Sequence, residues 1–307
     1  MKQHIKQLLK PFVHLAALVL SFAGVAKFLP RKFSFPIVIR IPRKYREFDT
    51  VIKFRGINLK INVGSSTGQV LYFMDEYKPI QFSFFESLLK PNTLFFDFGA
   101  NLGTLTALAI KHNVKTIAFE PDPSLCQYYI RPTIALNKGN ELTKVVCEAV
   151  ADKKGIATFW LHRLNHLGSG RLYKAEWWEE SPTITIPTDT LDNYVQRFGK
   201  PDLIKMHIEG AEVLAIRGSK KIFEDPDAPT LIVEFHTVDI QAISPNTSAD
   251  DLINELKGYG YEMKILTEPK YKESTWHVFF KKPLSEKTLK YFNSETGRLG
   301  GYFSKYH

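Results

Sequence analysis

The stretch KMHIEGAE, Lys205 to Glu212, sets ionisable side chains at alternate positions just after the strand-like DLI of residues 202–204. On a continuing strand, Lys205, His207 and Glu209 would project from one side and Met206 and Ile208 from the other. Three such groups at the carboxyl end of a buried parallel strand are costly unless they are paired or used, and ligands of open α/β sheets bind at that end. A histidine with an ordinary pKa near ~6.5 can exchange a proton with a ligand at neutral pH. His207 is therefore the expected general base, with Glu209 orienting it or the ligand. An ion cluster tying neighbouring loops together is the structural alternative. His236, following the apolar run LIVEF, lies at the same sheet edge and is either a second group at the acceptor site or a capping or core histidine.

A second group of candidates lies in FFDFGANLGTLTALAI, Phe95 to Ile110, which reads as strand, glycine loop and helix start. Gly99 and Gly103 are expected to permit close backbone approach to a ligand, and Thr104 or Thr106 to stabilise the helix entry. The spacing is G-x-x-x-G, not the dinucleotide G-x-G-x-x-G, and Asp97 sits where a pyrophosphate would be repelled. An acid there suits a ligand bearing positive charge or hydroxyls. About 20 residues on, KTIAFEPDP ends a second strand with Glu120, the position from which an acid accepts hydrogen bonds from a ribose diol. Together the two segments indicate a nucleoside ligand with Asp97 near its non-nucleoside part.

The elements that must hold these residues follow from periodicity. TLFFDF, KTIAFE, KVVCEAV, DLIKMHI and TLIVEF are short apolar runs separated by lengths sufficient for crossover helices. That pattern predicts an α/β fold with a doubly wound, mostly parallel sheet. YEMKIL and WHVFFKK predict an antiparallel C-terminal edge hairpin. Upstream, VIKFRGINLKINV predicts a pair of short strands turning at Gly56-Ile57-Asn58, and IQFSFFESLLKP a helix from Ile80 that stops at Pro91.

The net charge of +9 is unevenly spread: residues 1–60 carry 13 Lys and Arg against two acids, and the remainder carries 28 against 30. A nearly neutral body argues against a nucleic-acid partner, which would demand clustered bases. The basic N-terminal segment contains Phe12 to Leu29, an apolar run interrupted only by His14, Ser21 and Lys27, whose core of about 15 residues is short of the roughly 20 that span a bilayer. A membrane anchor or in-plane helix, a helix packed on the domain and a cleaved signal peptide are the competing readings. For an anchor, the bases after the run would leave the main domain in the cytoplasm, associated with the membrane surface through residues 1–45. Cys126 and Cys147, outside any C-x-x-C spacing, indicate neither a disulfide framework nor a zinc site and fit a reducing compartment. No metal is expected: His162 and His166 lack a third ligand. Trp177 and Trp178 are candidates for an acceptor lid, and NHLGSGRLY, residues 165–173, for a flexible specificity insert. The boundaries implied are 1–45 for the basic apolar segment, 46–90 for a small strand and helix subdomain, 91–285 for the main domain and 286–307 for a tail.

FFDFGANLG, AFEPDP, ALN at Ala135 to Asn137, EAVADKKG, TDTLDNYV, DLIKMHIEGAEVLAIRG and LIVEFH occur in an order that resembles the FkbM family of S-adenosylmethionine-dependent methyltransferases, over roughly residues 80–280. The resemblance implies a class I methyltransferase fold, Rossmann-like, with S-adenosylmethionine as cofactor. It implies that Asp97, Gly99, Asn101 and Gly103 line the methionine and ribose side, that Glu120 holds the ribose hydroxyls, and that Glu148 and Ala149 lie by the adenine. The family pattern K-I-D-V-E-G-A-E has an aspartate where this chain has His207. The expected activity is O-methylation of a hydroxyl on a sugar, lipid-linked or other small-molecule acceptor. A non-catalytic cofactor-binding module and an RNA methyltransferase are the alternatives. A sulfonium about 5 Å away at an effective dielectric of about 20 would repel an imidazolium by about 3 kcal/mol and help keep His207 neutral.

Overall fold

A computed structural model of the chain describes residues 48–73, 77–161, 168–174, 181–268 and 271–293. The apolar run from Phe12, His162, His166, Trp177 and Trp178 lie outside the described residues. Among the described residues, no helix is long and apolar enough to cross a membrane.

The strands in chain order are β1 (Asp49–Phe54), β2 (Ile57–Asn62), β3 (Leu94–Phe98), β4 (Lys115–Phe119), β5 (Thr143–Val146), β6 (Ala149–Val150), β7 (Gly155–Trp160), β8 (Thr183–Asp189), β9 (Leu203–Met206), β10 (Thr230–Val233), β11 (Glu262–Glu268) and β12 (Tyr271–Phe280). Seven form the main sheet in the order β11-β12-β10-β9-β3-β4-β5. The five strands from β10 to β5 run parallel, while β12 pairs antiparallel with both β10 and β11. The fold is thus the doubly wound class I methyltransferase architecture with the expected antiparallel edge. The chain travels outward from β3 through β4 to β5 and returns to β9 on the other flank of β3. The crevice at the carboxyl ends of β3 and β9 is the topological switch point, where such sheets bind ligands.

Both faces of the parallel strands are covered, so their side chains alternate between two interiors. Phe96 and Phe98 of β3, with Ile204 and Met206 of β9, enter one core, where the Phe98 and Phe119 rings stack with centroids 4.4 Å apart. Phe95 and Leu203 enter the other, which also contains Ile52, Phe54, Phe82, Phe84 and Phe85. Asp97 and Lys205 share that second face and are register partners across the β3–β9 ladder. The segment covering it comprises the β1–β2 hairpin and the helices Ser66–Phe73 and Pro79–Leu88. The hairpin turns at Arg55 and Gly56, both with positive φ (47° and 82°), one step before the expected turn. This two-residue turn matches the twist of the flanking strands. The Arg55 guanidinium then reaches Glu86 at 2.6 Å and Ser83 at 2.8 Å, tying hairpin to helix.

Two expectations need correction. KVVCEAV is not one strand: it breaks after Val146, and Ala149–Val150 joins β8 and β7 in a separate three-stranded sheet. The break sits beside the second correction, a disulfide between Cys126 and Cys147, whose Cα atoms are 6.4 Å apart. Adjacency of the β4 and β5 ends, with Phe119 opposite Val146, brings the two cysteines together from 21 residues apart. Local spacing rules are blind to such pairing. Paired cysteines no longer support a reducing compartment.

Candidate active site

Strand β3 delivers Asp97 into a cavity of ≈ 320 Å³ at the switch point. Asp97 is 1% exposed, and Thr106 Oγ1 donates to its Oδ2 at 2.7 Å. Thr106 therefore braces the acid rather than capping the helix, whose N-cap is Gly103 with no side-chain cap. Asp97 Oδ1 is buried without a hydrogen-bond partner. The neighbouring ammonium of Lys205 lies 3.8 Å away and spends its donors on the carbonyls of Gly99 (2.7 Å) and Phe98 (3.2 Å).

The glycines serve packing more than ligand approach. Gly99 has φ 77°, and a Cβ there would lie 2.1 Å from the carbonyl oxygen of His207, so its bareness lets the β3 and β9 loops meet. Gly103, also at positive φ, faces Ile130 and Thr133 and is not among the cavity-lining residues. Asn101 adopts φ 53°; its backbone N–H donates to Glu120 Oε2 at 2.9 Å, its side-chain amide donates to Gly168 O at 3.3 Å, and its Oδ1 is buried without a partner. Glu120 accepts a second backbone N–H from Asp122 at 3.2 Å. Burial pushes the Glu120 carboxyl up to about 7, against the lowering pull of these two N–H groups. Glu148 and Ala149 line the same cavity, and the Tyr194 hydroxyl bonds to both, at 3.0 and 3.2 Å.

The KMHIEGAE segment departs from a simple strand. β9 ends at Met206, and the following residues form a turn in which Glu209 has φ 54° and Gly210 φ 89°. Glu212, fully buried, pins this turn by accepting the N–H groups of Ile208 (2.7 Å) and Gly210 (2.9 Å). Lys205, His207 and Glu209 all line the cavity, but the turn, not strand alternation, brings Glu209 there. Its left-handed backbone is a conformation that a non-glycine residue adopts at a cost.

His207 is held between two carboxylates: Nε2 is 3.7 Å from Glu209 Oε1 and Nδ1 is 3.6 Å from Glu234 Oε2. Burial lowers its pKa to about 3, opposed by Glu234 and reinforced by Lys205, His236 and Lys78. The imidazole is thus neutral at physiological pH, although 32% of the side chain remains exposed. Burial raises the Glu209 carboxyl, in opposition to Arg171. It also opposes ionisation of Glu234, but His207, Lys78 and His236, with the Ser274 hydroxyl, outweigh it and hold that carboxyl low. Glu234 follows the end of β10 and accepts from Ser274 Oγ (3.0 Å) and Trp276 Nε1 (3.2 Å). His236 stacks on His207 with ring centroids 5.4 Å apart but does not line the cavity.

Sequence reasoning did not single out Glu234, although the motif LIVEFH contains it; an acid closing an otherwise apolar strand was the available signal. It also missed Arg171, which donates to Asp239 Oδ1 at 2.5 Å and Glu209 Oε2 at 3.1 Å. The Tyr173 hydroxyl donates to the same Asp239 oxygen. The described part of the supposed flexible insert, residues 168–173, is thereby strapped across the cavity, which Gly168, Ser169, Gly170 and Leu172 line.

His207, Glu234 and His236 also place potential metal-ligand atoms within 4.8 Å of one another. The Lys78 ammonium, 3.9 Å from Glu234, opposes a cation there. The geometry suits proton handling between imidazole and carboxylate better.

The arrangement can accommodate a nucleoside with a cationic substituent: Glu120 for hydroxyls, the unpartnered Asp97 oxygen for a positive group, and a neutral base at the far side. Comparison with known proteins bears on this reading. A methyltransferase FkbM from Methylobacillus flagellatus matches with 16% identity and TM-score 0.44, over 64% of this chain and 48% of that one. The chain thus spans about half the length of that structure. P. horikoshii TYW2 in complex with MeSAdo matches at 18% identity and TM-score 0.40 over 77% and 73% of the two chains. M. jannaschii TYW2 in complex with AdoMet matches at 17% and 0.38 over 76% and 84%. No curated protein matches. Residues 97–263 match the methyltransferase FkbM domain, more than half of the 307 residues, and the chain belongs to the FkbM methyltransferase family.

Proposed function

We propose that the chain methylates a hydroxyl of a small-molecule, glycan or lipid-linked acceptor, using S-adenosylmethionine, with His207 as general base. The observation that carries this is an imidazole between two carboxylates, in the same cavity as Asp97 and Glu120. The buried, unpartnered oxygens of Asp97 and Asn101 fit the cofactor's polar groups, and Glu120 fits its ribose diol. When bound, S-adenosylmethionine supplies an electrophilic methyl on a positively charged sulfur, a charge that is gone after transfer. His207 then takes the hydroxyl proton on one ring nitrogen while Glu234 stabilises the imidazolium through the other. Burial holds the imidazole at about 3 in the free protein, a weaker base than the ordinary histidine expected from the sequence; the sulfonium would depress it further, and methyl transfer removes only that added depression, so proton uptake follows transfer and depends on Glu234. Glu209, anchored by Arg171, orients the acceptor side of the ring.

Tritium transfer from S-adenosylmethionine into organic-soluble, glycan and RNA fractions of an extract tests the reading. Label in a non-nucleic fraction is expected. Retained cofactor binding with no label would mark a binding module, and label in RNA would overturn the acceptor class.

A further inference from the structure

Resting on the hydroxyl-methylation reading, we propose that the acceptor carries an oxyanion, a carboxylate or phosphate, close to the methylated hydroxyl, and that Lys78 receives it. Lys78 immediately precedes the helix Pro79–Leu88 and adopts φ 44° and ψ 54°. A long side chain in this left-handed region is uncommon, and the conformation leads into a Pro-initiated helix while the ammonium lines the cavity. The side chain is only 15% exposed.

An ammonium has three donors and no acceptor. Lys205, on the neighbouring strand, uses its donors on two carbonyls. The Lys78 ammonium, 5.4 Å over the Tyr77 ring, makes no hydrogen bond among the described residues. Glu234 Oε1, 3.9 Å away, is beyond hydrogen-bond range and already accepts from Ser274. Burial, with the charge of Lys205, presses Lys78 toward its neutral form against the opposing charges of Glu234 and Glu268. A bound sulfonium would add another positive charge to the cavity. Of the acids that line it, Asp97, Glu148 and Glu209 are paired with Lys205, Arg197 and Arg171, Glu120 accepts two backbone N–H groups, and Glu234 is the carboxylate nearest Lys78 itself.

The chain of contacts from Lys78 to Glu234 to His207, 3.9 and 3.6 Å, puts the ammonium beside the base. An anionic group on Lys78 and a hydroxyl at His207 therefore belong to one compact fragment. The cavity that Lys78 lines also includes Tyr77, Phe82, Trp276, Ser66 and Thr67. That mixture of apolar faces and hydroxyl donors suits a sugar-acid or phosphorylated polyol.

The test uses the full chain with tritiated S-adenosylmethionine and a low-molecular-mass and lipid extract of the source organism. Labelled product is expected to be retained on an anion-exchange resin; loss of retention after phosphatase identifies phosphate, and after carbodiimide blocking, carboxylate. Lys78→Met is expected to cut labelling at subsaturating extract by about 10- to 100-fold, the worth of a charge-assisted hydrogen bond, with unchanged affinity for S-adenosylhomocysteine. Lys78→Arg should recover part of the loss. If Lys78 merely balances Glu234, the Lys78→Met loss would be equal for retained and unretained products. That result, a wholly unretained product, or undiminished labelling by Lys78→Met would overturn the proposal while leaving methyl transfer intact. Absence of label in any fraction would defeat the methyl-transfer reading first and this inference with it.

Discussion

Replacing Glu120 by Gln should uncouple nucleoside binding from pH. The carboxyl is 5% exposed, accepts N–H groups from Asn101 and Asp122, and is raised by burial to about 7. A ribose diol donating to it would favour the ionised form, so binding must expel whatever proton is present. The sign follows: affinity is full above pH 7 and falls as pH drops through 7, by about tenfold per unit, until the bound form also protonates. Between pH 8 and pH 6 the loss should be about tenfold, or about 1.4 kcal/mol. Calorimetric titration with S-adenosylhomocysteine in buffers of contrasting ionisation enthalpy should register about half a proton released at pH 7, nearly one at pH 6 and almost none at pH 8. Glu212, also raised to about 7, titrates in the same window but holds the turn, so the Glu120→Gln variant isolates the contribution. That variant should bind about 100-fold more weakly at pH 8, from one or two charge-assisted bonds lost, with a flat pH dependence. A wild-type affinity independent of pH, or an unchanged slope in Glu120→Gln, would refute this assignment of the ribose acid.

Two further outcomes concern stability. Glu86 is held down to about 2: burial opposes its ionisation, and hydrogen bonds from Lys111, Arg55 and His112 prevail. A depressed carboxyl stabilises above its unfolded pKa, so Glu86→Gln should cost about 1–2 kcal/mol in urea unfolding at pH 7, and the difference should shrink as pH falls from about 4.5 toward 2. Arg171→Ala leaves Glu209 and Asp239 without their shared guanidinium; a loss of about 3 kcal/mol and faster proteolysis within residues 168–174 are expected, against unchanged proteolysis if the strap is held otherwise.

The sheet, and the gathering of Asp97 and Glu120 at its switch point, were legible because their signals are local: apolar runs of strand length, a glycine loop behind Asp97, an acid some 20 residues later. What escaped was set by strand adjacency. Glu234 reaches His207 because β10 lies beside β9, Arg171 reaches Glu209 across a loop 38 residues distant, and Cys126 meets Cys147 because β4 and β5 end side by side. The alternation placing Lys205, His207 and Glu209 on one face was right in outcome and wrong in cause, since Glu212 ends the strand by gathering the N–H groups of Ile208 and Gly210. Lys78 lay outside every motif, and only the fold carries its helix to the mouth of the β9 crevice.

The central claim is that His207 takes the hydroxyl proton. Single-turnover methyl transfer by His207→Asn, measured beside its affinity for S-adenosylhomocysteine, tests it most directly. The account predicts a rate about 10²- to 10⁴-fold below wild type with cofactor affinity within about twofold. An unchanged rate would remove His207 from the chemistry and contradict the account.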